Sequence, residues 1–238
     1  MPKESFIIVM PTYNEEGCID KVVSSWMEIV QQFPDSEMLI LNDGSTDDTG
    51  QKLDKLTKKY PALKVIHKNN EGHGKTLIKG YSEAVINTFH NWVFQTDSDN
   101  QFSPQDFNKL WQFRTKSDFI LGRRKNRQDP YYRVFLSSIL RCYLGFLFGK
   151  NIRDANIPFR LINKTYLKNI LRKVPKDVFA PNIFLSVLAA QDNLDLINIP
   201  VTHRSRTFGI STLHFWKYVK SGLRVAKELF CFRLSLKP

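Results

Sequence analysis

Residues 92–101, Trp92-Val93-Phe94-Gln95-Thr96-Asp97-Ser98-Asp99-Asn100-Gln101, decide how this chain is read. The first five form a short apolar run of strand type, and the next five are polar. Asp97, Asp99 and Gln101 place two carboxylates and an amide oxygen at alternate positions, where they can converge on one hard divalent cation. A nucleotide diphosphate would complete the coordination, and the metal would neutralise it as a leaving group. Alone, the pattern reads first as a polar turn before the helix expected at Ser103-Pro104, with serine at N-cap and proline at N1. What surrounds it changes that weighing.

Strands and helices alternate on the N-terminal side. Ser5–Met10 is an apolar strand ended by Pro11, and Ile19, Val22, Val23, Trp26, Ile29, Val30 and Phe33 recur at helical spacing. Glu37–Leu41 and Leu63–His67 read as strands, with helices expected over 46–59 and 74–89. Asp118–Leu121 reads as a fifth strand. This alternation predicts an α/β fold, a mostly parallel sheet with helices on both faces. Ligands bind such sheets beyond the carboxyl ends of the strands. Polar motifs stand there in turn: Pro11-Thr12-Tyr13-Asn14-Glu15-Glu16, then Asn42-Asp43-Gly44-Ser45-Thr46-Asp47-Asp48-Thr49, then Asn70-Glu71-Gly72-His73-Gly74-Lys75. Two local matches fail. Gly72–Thr76 resembles the end of a P-loop, but Asn69 replaces the required first glycine. Asp43–Asp54 resembles a calcium loop, but Asp48 holds its glycine position and a strand precedes it.

The remainder is less regular. Helices are expected over 131–148, 164–172, 179–191 and 212–232, and a strand over 196–201. The apolar run within 131–148 is interrupted by Arg141, which suits a helix lying on a surface. No repeat or linker is visible, so one domain over 1–211 with a C-terminal elaboration over 212–238 is expected. The chain has 238 residues and a net charge of +12, unevenly spread. Residues 1–100 hold ten lysines, no arginine and fifteen acids, a net of −5; the rest carries +17. Phosphorylated substrates, an anionic membrane surface and nucleic acid all suit such a basic half. Cys18, Cys142 and Cys231 make neither a disulfide framework nor a CxxC zinc site, so a reducing compartment is expected. No apolar run reaches membrane-spanning length, and Phe6–Met10 is too short for a signal-peptide core.

The strand-end motifs taken in order resemble the family 2 inverting glycosyltransferases, most closely the dolichyl- and polyprenyl-phosphate sugar transferases, over roughly residues 5 to 211. The resemblance implies a nucleotide-diphospho-sugar transferase sandwich of GT-A type with Mg2+ or Mn2+ as cofactor. It implies that Pro11, Tyr13 and Glu15 hold base and ribose, and that Asp43 pairs with the base. It implies that Asp97, Asp99 and Gln101 form the metal and diphosphate site, with Arg123 beside the phosphates. Arg133 and Ser137 match acceptor-phosphate contacts. Asp154-x-x-x-Pro158-Phe159-Arg160 is similar to the family's D-x-x-x-G-F-R segment. Arg204 and Arg206-Thr207-Phe208-Gly209-Ile210-Ser211 resemble its late R-x-x-G-x-S motif, which adds Arg204 to the catalytic set and Arg206 to the acceptor set. Three positions depart from the pattern. Asn42 replaces a usual aspartate, Pro158 a glycine, and Asn182 stands near where many members carry an acid. A phosphate acceptor needs no general base, because it is already ionised near neutral pH.

The implied reaction moves a sugar from a nucleotide-diphosphate donor to polyprenyl phosphate, peripherally on the cytoplasmic face of a membrane. Many members continue into membrane helices, so a membrane-anchoring partner subunit is a further expectation. Trp216, Val219, Leu223, Ala226 and Phe230 make an apolar stripe beside basic Lys217, Lys220, Arg224 and Lys227, which suits an anionic membrane or a helix docked on its own core. The alternatives are a saccharide or other hydroxyl acceptor, and, more distantly, a non-catalytic basic module binding membrane or nucleic acid. No recognition helix, zinc finger or aromatic RNA motif supports a nucleic-acid partner.

Overall fold

The computed structural model describes residues 4–86, 89–125, 131–205 and 215–236, and of 131–134 and 215–218 the backbone alone. The first half alternates as the sequence predicts: β1 (Phe6–Thr12), α1 (Ile19–Val30), β2 (Glu37–Asp43), α2 (Thr49–Lys59), β3 (Leu63–Lys68), α3 (His73–Ile86) and β4 (Trp92–Thr96). A 3-10 turn over Pro104–Asp106 leads into α4 (Phe107–Trp111), β5 (Phe119–Lys125) and α5 (Tyr131–Phe148). Ser103 takes extended backbone angles before the 3-10 turn, but its side chain makes no cap hydrogen bond to it. Then follow β6 (Phe159–Asn163), α6 (Lys164–Leu171), α7 (Pro181–Gln191), β7 (Ile197–Thr202) and α8 (Phe215–Ser235).

The sheet runs β3-β2-β1-β4-β6-β5-β7. β1 is buried along its whole length and β2 from Met38 to Asp43, as strands covered on both faces must be. β3, with Lys64, His67 and Lys68, closes one edge. β7 closes the other, and its Pro200 is the kind of residue an edge tolerates. β6 is the element that sequence pattern misses. It inserts antiparallel between β4 and β5, with Gln95 opposite Arg160 and Arg160 opposite Leu121. A buried arginine at the second of five positions hides the strand from any apolar count.

α7 is buried from Pro181 to Ala190, a helix apolar all round because sheet and helices enclose it. α8 docks on α5 and α7 through Val225, Leu229 and Phe232. The Tyr143 hydroxyl donates to the Ala226 carbonyl at 3.0 Å, and the Phe232 ring lies 5.1 Å from Phe184 and 6.4 Å from Phe148. The docking stripe is therefore not the one the sequence singles out. Leu223 and Phe230 of that stripe face outward, with Leu234 beside them. On α5, Phe135, Ile139, Cys142 and Phe146 likewise face outward, four positions that share one side of a helix.

Candidate active site at the strand ends

β3, β2, β1 and β4 are consecutive neighbours, so the loops that follow them lie side by side at one end of the sheet. The first two are laced together. Asn14, at φ 53°, accepts from the Thr46 amide at 2.8 Å through its side chain and donates its own amide to Ser45 Oγ at 2.9 Å. The Glu15 amide donates to Thr49 Oγ1 at 2.8 Å. Asp47 and Glu16 accept from each other's loop, taking the Glu16 amide at 3.2 Å and the Asp48 amide at 3.0 Å. Glu15 itself is buried and accepts from the Cys18 thiol, while Tyr13 stands exposed at the tip. Pro11 lies within β1, which runs on to Thr12 where the sequence predicts an end at Met10, and its carbonyl accepts from Ser98 Oγ at 3.1 Å, which ties the fourth loop to the first.

Asp43 holds the third loop. One carboxylate oxygen accepts from Lys68 Nζ and from the Glu71 amide at 3.0 Å, and the other accepts from the Gly72 amide at 3.0 Å. Burial raises its carboxyl, but Lys68, the Glu71 amide and Thr76 outweigh that and hold it below its ordinary value. Gly44 makes the approach possible. It sits at φ +67°, and a Cβ there would lie 2.7 Å from the Asn70 amide nitrogen.

The Asp97–Gln101 turn sits on a buried polar chain. Gln95 Nε2 donates to Asp97 Oδ1 at 3.1 Å, Asn182 Nδ2 donates to Gln95 Oε1 at 3.0 Å, and the Tyr81 hydroxyl donates to Asn182 Oδ1 at 2.8 Å. Gln95, Asn182 and Tyr81 are all buried. Burial pushes the Asp97 carboxyl above its ordinary value, against the pull of His73, Arg124, the Gln95 amide and Arg160. Asp99 Oδ1 accepts from the Gln101 amide at 3.2 Å, with Asn100 at φ 59° between them. Gln101 in turn meets Arg204: its side-chain amide donates to the Arg204 carbonyl at 3.2 Å, and the Arg204 amide donates to the Gln101 carbonyl at 2.8 Å. Two residues a hundred positions apart thus close one rim of the site.

Arg160 is structural. Its guanidinium is fully buried and donates to the carbonyls of Ala155, Ile157 and Asn182 and to Ser186 Oγ, at 2.7 to 3.3 Å. It fastens the segment before β6 to the start of α7. Asp154 pairs with Arg124 at 3.4 Å. Arg123 and Arg124 lie near the end of β5, and together with Arg141, Arg153 and Asp154 they line one cavity of about 300 Å³. Ser137 lies half-buried on α5, one turn before Arg141. The side chains of Arg133, Trp216 and Lys217, and all of Arg127 and Arg206, lie outside the described residues.

Asp97, Asp99 and Gln101 offer oxygen donors only, which suits Mg2+ or Mn2+. Among the described residues no three His, Cys, Asp or Glu cluster to hold a metal by themselves. Mg2+ is commonly held in this way, by one or two carboxylates completed by substrate phosphates. The residues therefore fit a metal that arrives with a diphosphate.

Sequence reasoning missed Gln95, Tyr81, Arg141 and Arg153. Gln95 carried a signal, a polar residue inside an otherwise apolar strand. Arg141 carried a similar one, a charge inside an apolar run, but Tyr81 and Arg153 carried none, because only the fold brings them to the site.

A mostly parallel sheet with laced strand-end loops, an Asp-x-Asp turn and an arginine-rich flank defines a sugar transferase of the GT-A type. The chain belongs to glycosyl transferase family 2, whose model matches residues 7–174. It is 24% identical over 238 residues to polyprenol monophosphomannose synthase of Mycolicibacterium smegmatis, covering 96% of this chain and 86% of that protein. It is 23% identical to undecaprenyl-phosphate 4-deoxy-4-formamido-L-arabinose transferase of Proteus mirabilis, over 89% of this chain and 64% of that longer protein. In structure it resembles glucosyl-3-phosphoglycerate synthase of Mycobacterium tuberculosis, solved with Mn2+, UDP-glucose and phosphoglyceric acid. The TM-score is 0.72 at 16% identity, over 97% of this chain and 80% of that one.

Proposed function

We propose that this glycosyltransferase moves a sugar from a nucleotide-diphosphate sugar to a polyprenyl phosphate. The observation that carries the reading is the buried state of Asn182. Asn182, which stands near where many members carry an acid, is spent on holding Gln95 beneath Asp97, and its amide offers the acceptor no base. A hydroxyl acceptor needs a base to take its proton, whereas a phosphate monoester attacks with an oxygen that is already ionised.

The bond that forms joins an acceptor phosphate oxygen to the anomeric carbon. The bond that breaks joins that carbon to the donor's diphosphate, which leaves from the opposite face, so the configuration inverts. Asp97, Asp99 and Gln101 are the residues that would hold Mg2+ or Mn2+, which when bound supplies charge neutralisation to the leaving diphosphate. Arg123 and Arg204 are the cations assigned to the phosphates in flight. Pro11, Tyr13, Glu15 and Asp43 frame the nucleoside end, with Asp43 acting through the loop it anchors. Arg133, Ser137 and Arg206 are assigned to the acceptor phosphate.

Residues 1–211 are read as the catalytic unit and 212–238 as a segment that works at a membrane. The outward residues of α5 and α8 support this, since Phe135, Phe146, Leu223 and Phe230 are large, apolar and at least half exposed. Lys220, Arg224 and Lys227 on α8 suit anionic headgroups. The three free cysteines suit the reducing, cytoplasmic face. A membrane-anchoring partner subunit would serve the same end. The deciding experiment offers purified protein, Mn2+ and a panel of nucleotide sugars two kinds of acceptor, a short polyprenyl phosphate and free saccharides. Transfer to the phosphate alone supports the reading, and transfer to saccharides alone replaces it with a hydroxyl acceptor.

A further inference from the structure

Four arginines line the cavity beside the site, and three separate elements deliver them. Arg123 and Arg124 come from the end of β5, Arg141 from α5, and Arg153 from the segment before β6. Asp154 is the one carboxylate among the described lining residues, and its two oxygens both lie 3.4 Å from Arg124. The walls therefore carry three positive charges in excess. Arg141 is steered by its Nε, which donates to Asn151 Oδ1 at 2.7 Å and leaves its terminal amino groups unspent by that bond. Arg124 Nε is buried with no hydrogen-bond partner among the described residues. Like charges held together by a fold are costly unless an anion joins them, and a buried donor left unpaired adds to that cost. Guanidinium groups pair with phosphate in bidentate fashion. The cavity, about 300 Å³, is ample for one phosphate group. No residue of the Asp97–Gln101 turn lines it, so it stands beside the metal and diphosphate turn and is not the same pocket.

We propose that Arg124, Arg141 and Arg153 form a phosphate-monoester site in which the acceptor's headgroup is held before it attacks. This assigns Arg141 and Arg153 a role that nothing in the motif pattern gives them. Its identification of the ligand rests on the proposed acceptor reading, because a hydroxyl acceptor without a phosphate would have no use for such a pocket. Arg141 follows Ser137 by one helical turn, so the headgroup would pass along α5 from the one to the other. Arg124 links the pocket to the chemistry, since it follows Arg123, the arginine assigned to the donor's phosphates, on β5, and both line the cavity.

The test is calorimetry on the full chain in EDTA, which removes the metal that a diphosphate site needs. Farnesyl phosphate, inorganic phosphate and farnesol are titrated into the native protein and into the double variant Arg141→Gln, Arg153→Gln. Donor nucleotide with Mn2+ is titrated separately as the measure of an intact fold. The expected result is that farnesyl phosphate binds, farnesol does not, and the double variant weakens farnesyl phosphate tenfold or more with donor affinity within twofold. Equal farnesyl phosphate binding by both proteins overturns the pocket while leaving the lipid-phosphate acceptor standing. Inorganic phosphate lost in the variant, with farnesyl phosphate bound no more tightly than inorganic phosphate, keeps the pocket and assigns it to a soluble phosphate ester, against the lipid reading. No phosphate binding by native protein that binds donor overturns both. Should the double variant lose donor binding, Arg153→Gln on an exposed side chain carries the same comparison.

Discussion

Gln95 and Asp97 are joined side chain to side chain, the amide nitrogen of one donating to a carboxylate oxygen of the other at 3.1 Å. They alternate on one strand and its extension, so both side chains fall on the same face. Behind Gln95 stand Asn182 and Tyr81, and none of the three reaches solvent. The acidic turn is thus held from beneath by neutral amides. That arrangement orients Asp97 without adding a second negative charge beneath the half-buried turn.

Cutting this chain should affect metal use before it affects folding. Gln95→Leu removes a hydrogen bond to a charged group, worth about 2 kcal/mol, and should raise the Mn2+ concentration for half-maximal activity by about tenfold or more. KM for the nucleotide sugar should shift far less at saturating Mn2+. A Mn2+ titration that leaves the two proteins superimposed would remove Gln95 as a positioning residue.

Asp99→Ala should abolish metal-dependent donor binding. Calorimetry with UDP and GDP, each with and without Mn2+, should show one nucleotide bound by the native chain only with metal. In the variant, affinity should fall about a hundredfold. The same measurement names the base.

Asp43→Ala should destabilise the fold. It leaves Lys68 as a buried charge without its carboxylate and frees the Glu71 and Gly72 amides, at a cost of about 3 kcal/mol. Thermal unfolding should show a fall of about 8 °C. Because the folded carboxyl titrates below its ordinary value of 3.8, this stabilisation is complete above that pH and is lost as pH falls through the folded value.

His90 should make the protein acid-sensitive. It is fully buried near the amino ends of the strands, with Glu37 at 3.7 Å and Lys64 and Lys164 facing it. Burial pushes the imidazole below its ordinary 6.5, and the pull of Glu37 does not reverse this. The unfolded chain therefore takes up a proton on His90 first, and stability falls as pH drops below about 6.5. His90→Phe should flatten that part of the Tm–pH curve, and an unchanged slope would show that other groups set it.

Phe146→Asp and Phe230→Asp should each weaken binding to anionic vesicles, by about tenfold for a fully buried ring. Activity on a short, soluble polyprenyl phosphate should be retained in both. Vesicle binding unaffected by either substitution would place the membrane contact elsewhere.

The strands β1 to β4 and their polar ends are legible in the sequence because each is a local pattern, an apolar run followed by turn residues and carboxylates. Local contacts also explain why α1, α3 and α5 fall within a few residues of their expected bounds. β6 is not legible, since Phe159–Asn163 acquires its strand neighbours only when β4 and β5 flank it. On α8, spacing alone allows two apolar stripes. The partner surface on α5 and α7 selects Val225, Leu229 and Phe232 for burial and turns Leu223 and Phe230 outward.

The sequence by itself determined the α/β class, the order of the strand-end motifs and the family they spell, because those depend on residues close together in the chain. Tertiary structure alone decided that Asn182 holds Gln95 beneath Asp97, that Gln101 meets Arg204, and that four arginines from three elements share one cavity. The physical reason is the same in each case. A buried amide or a crowded cation takes its role from the groups that exclude water around it, and those groups arrive from distant parts of the chain.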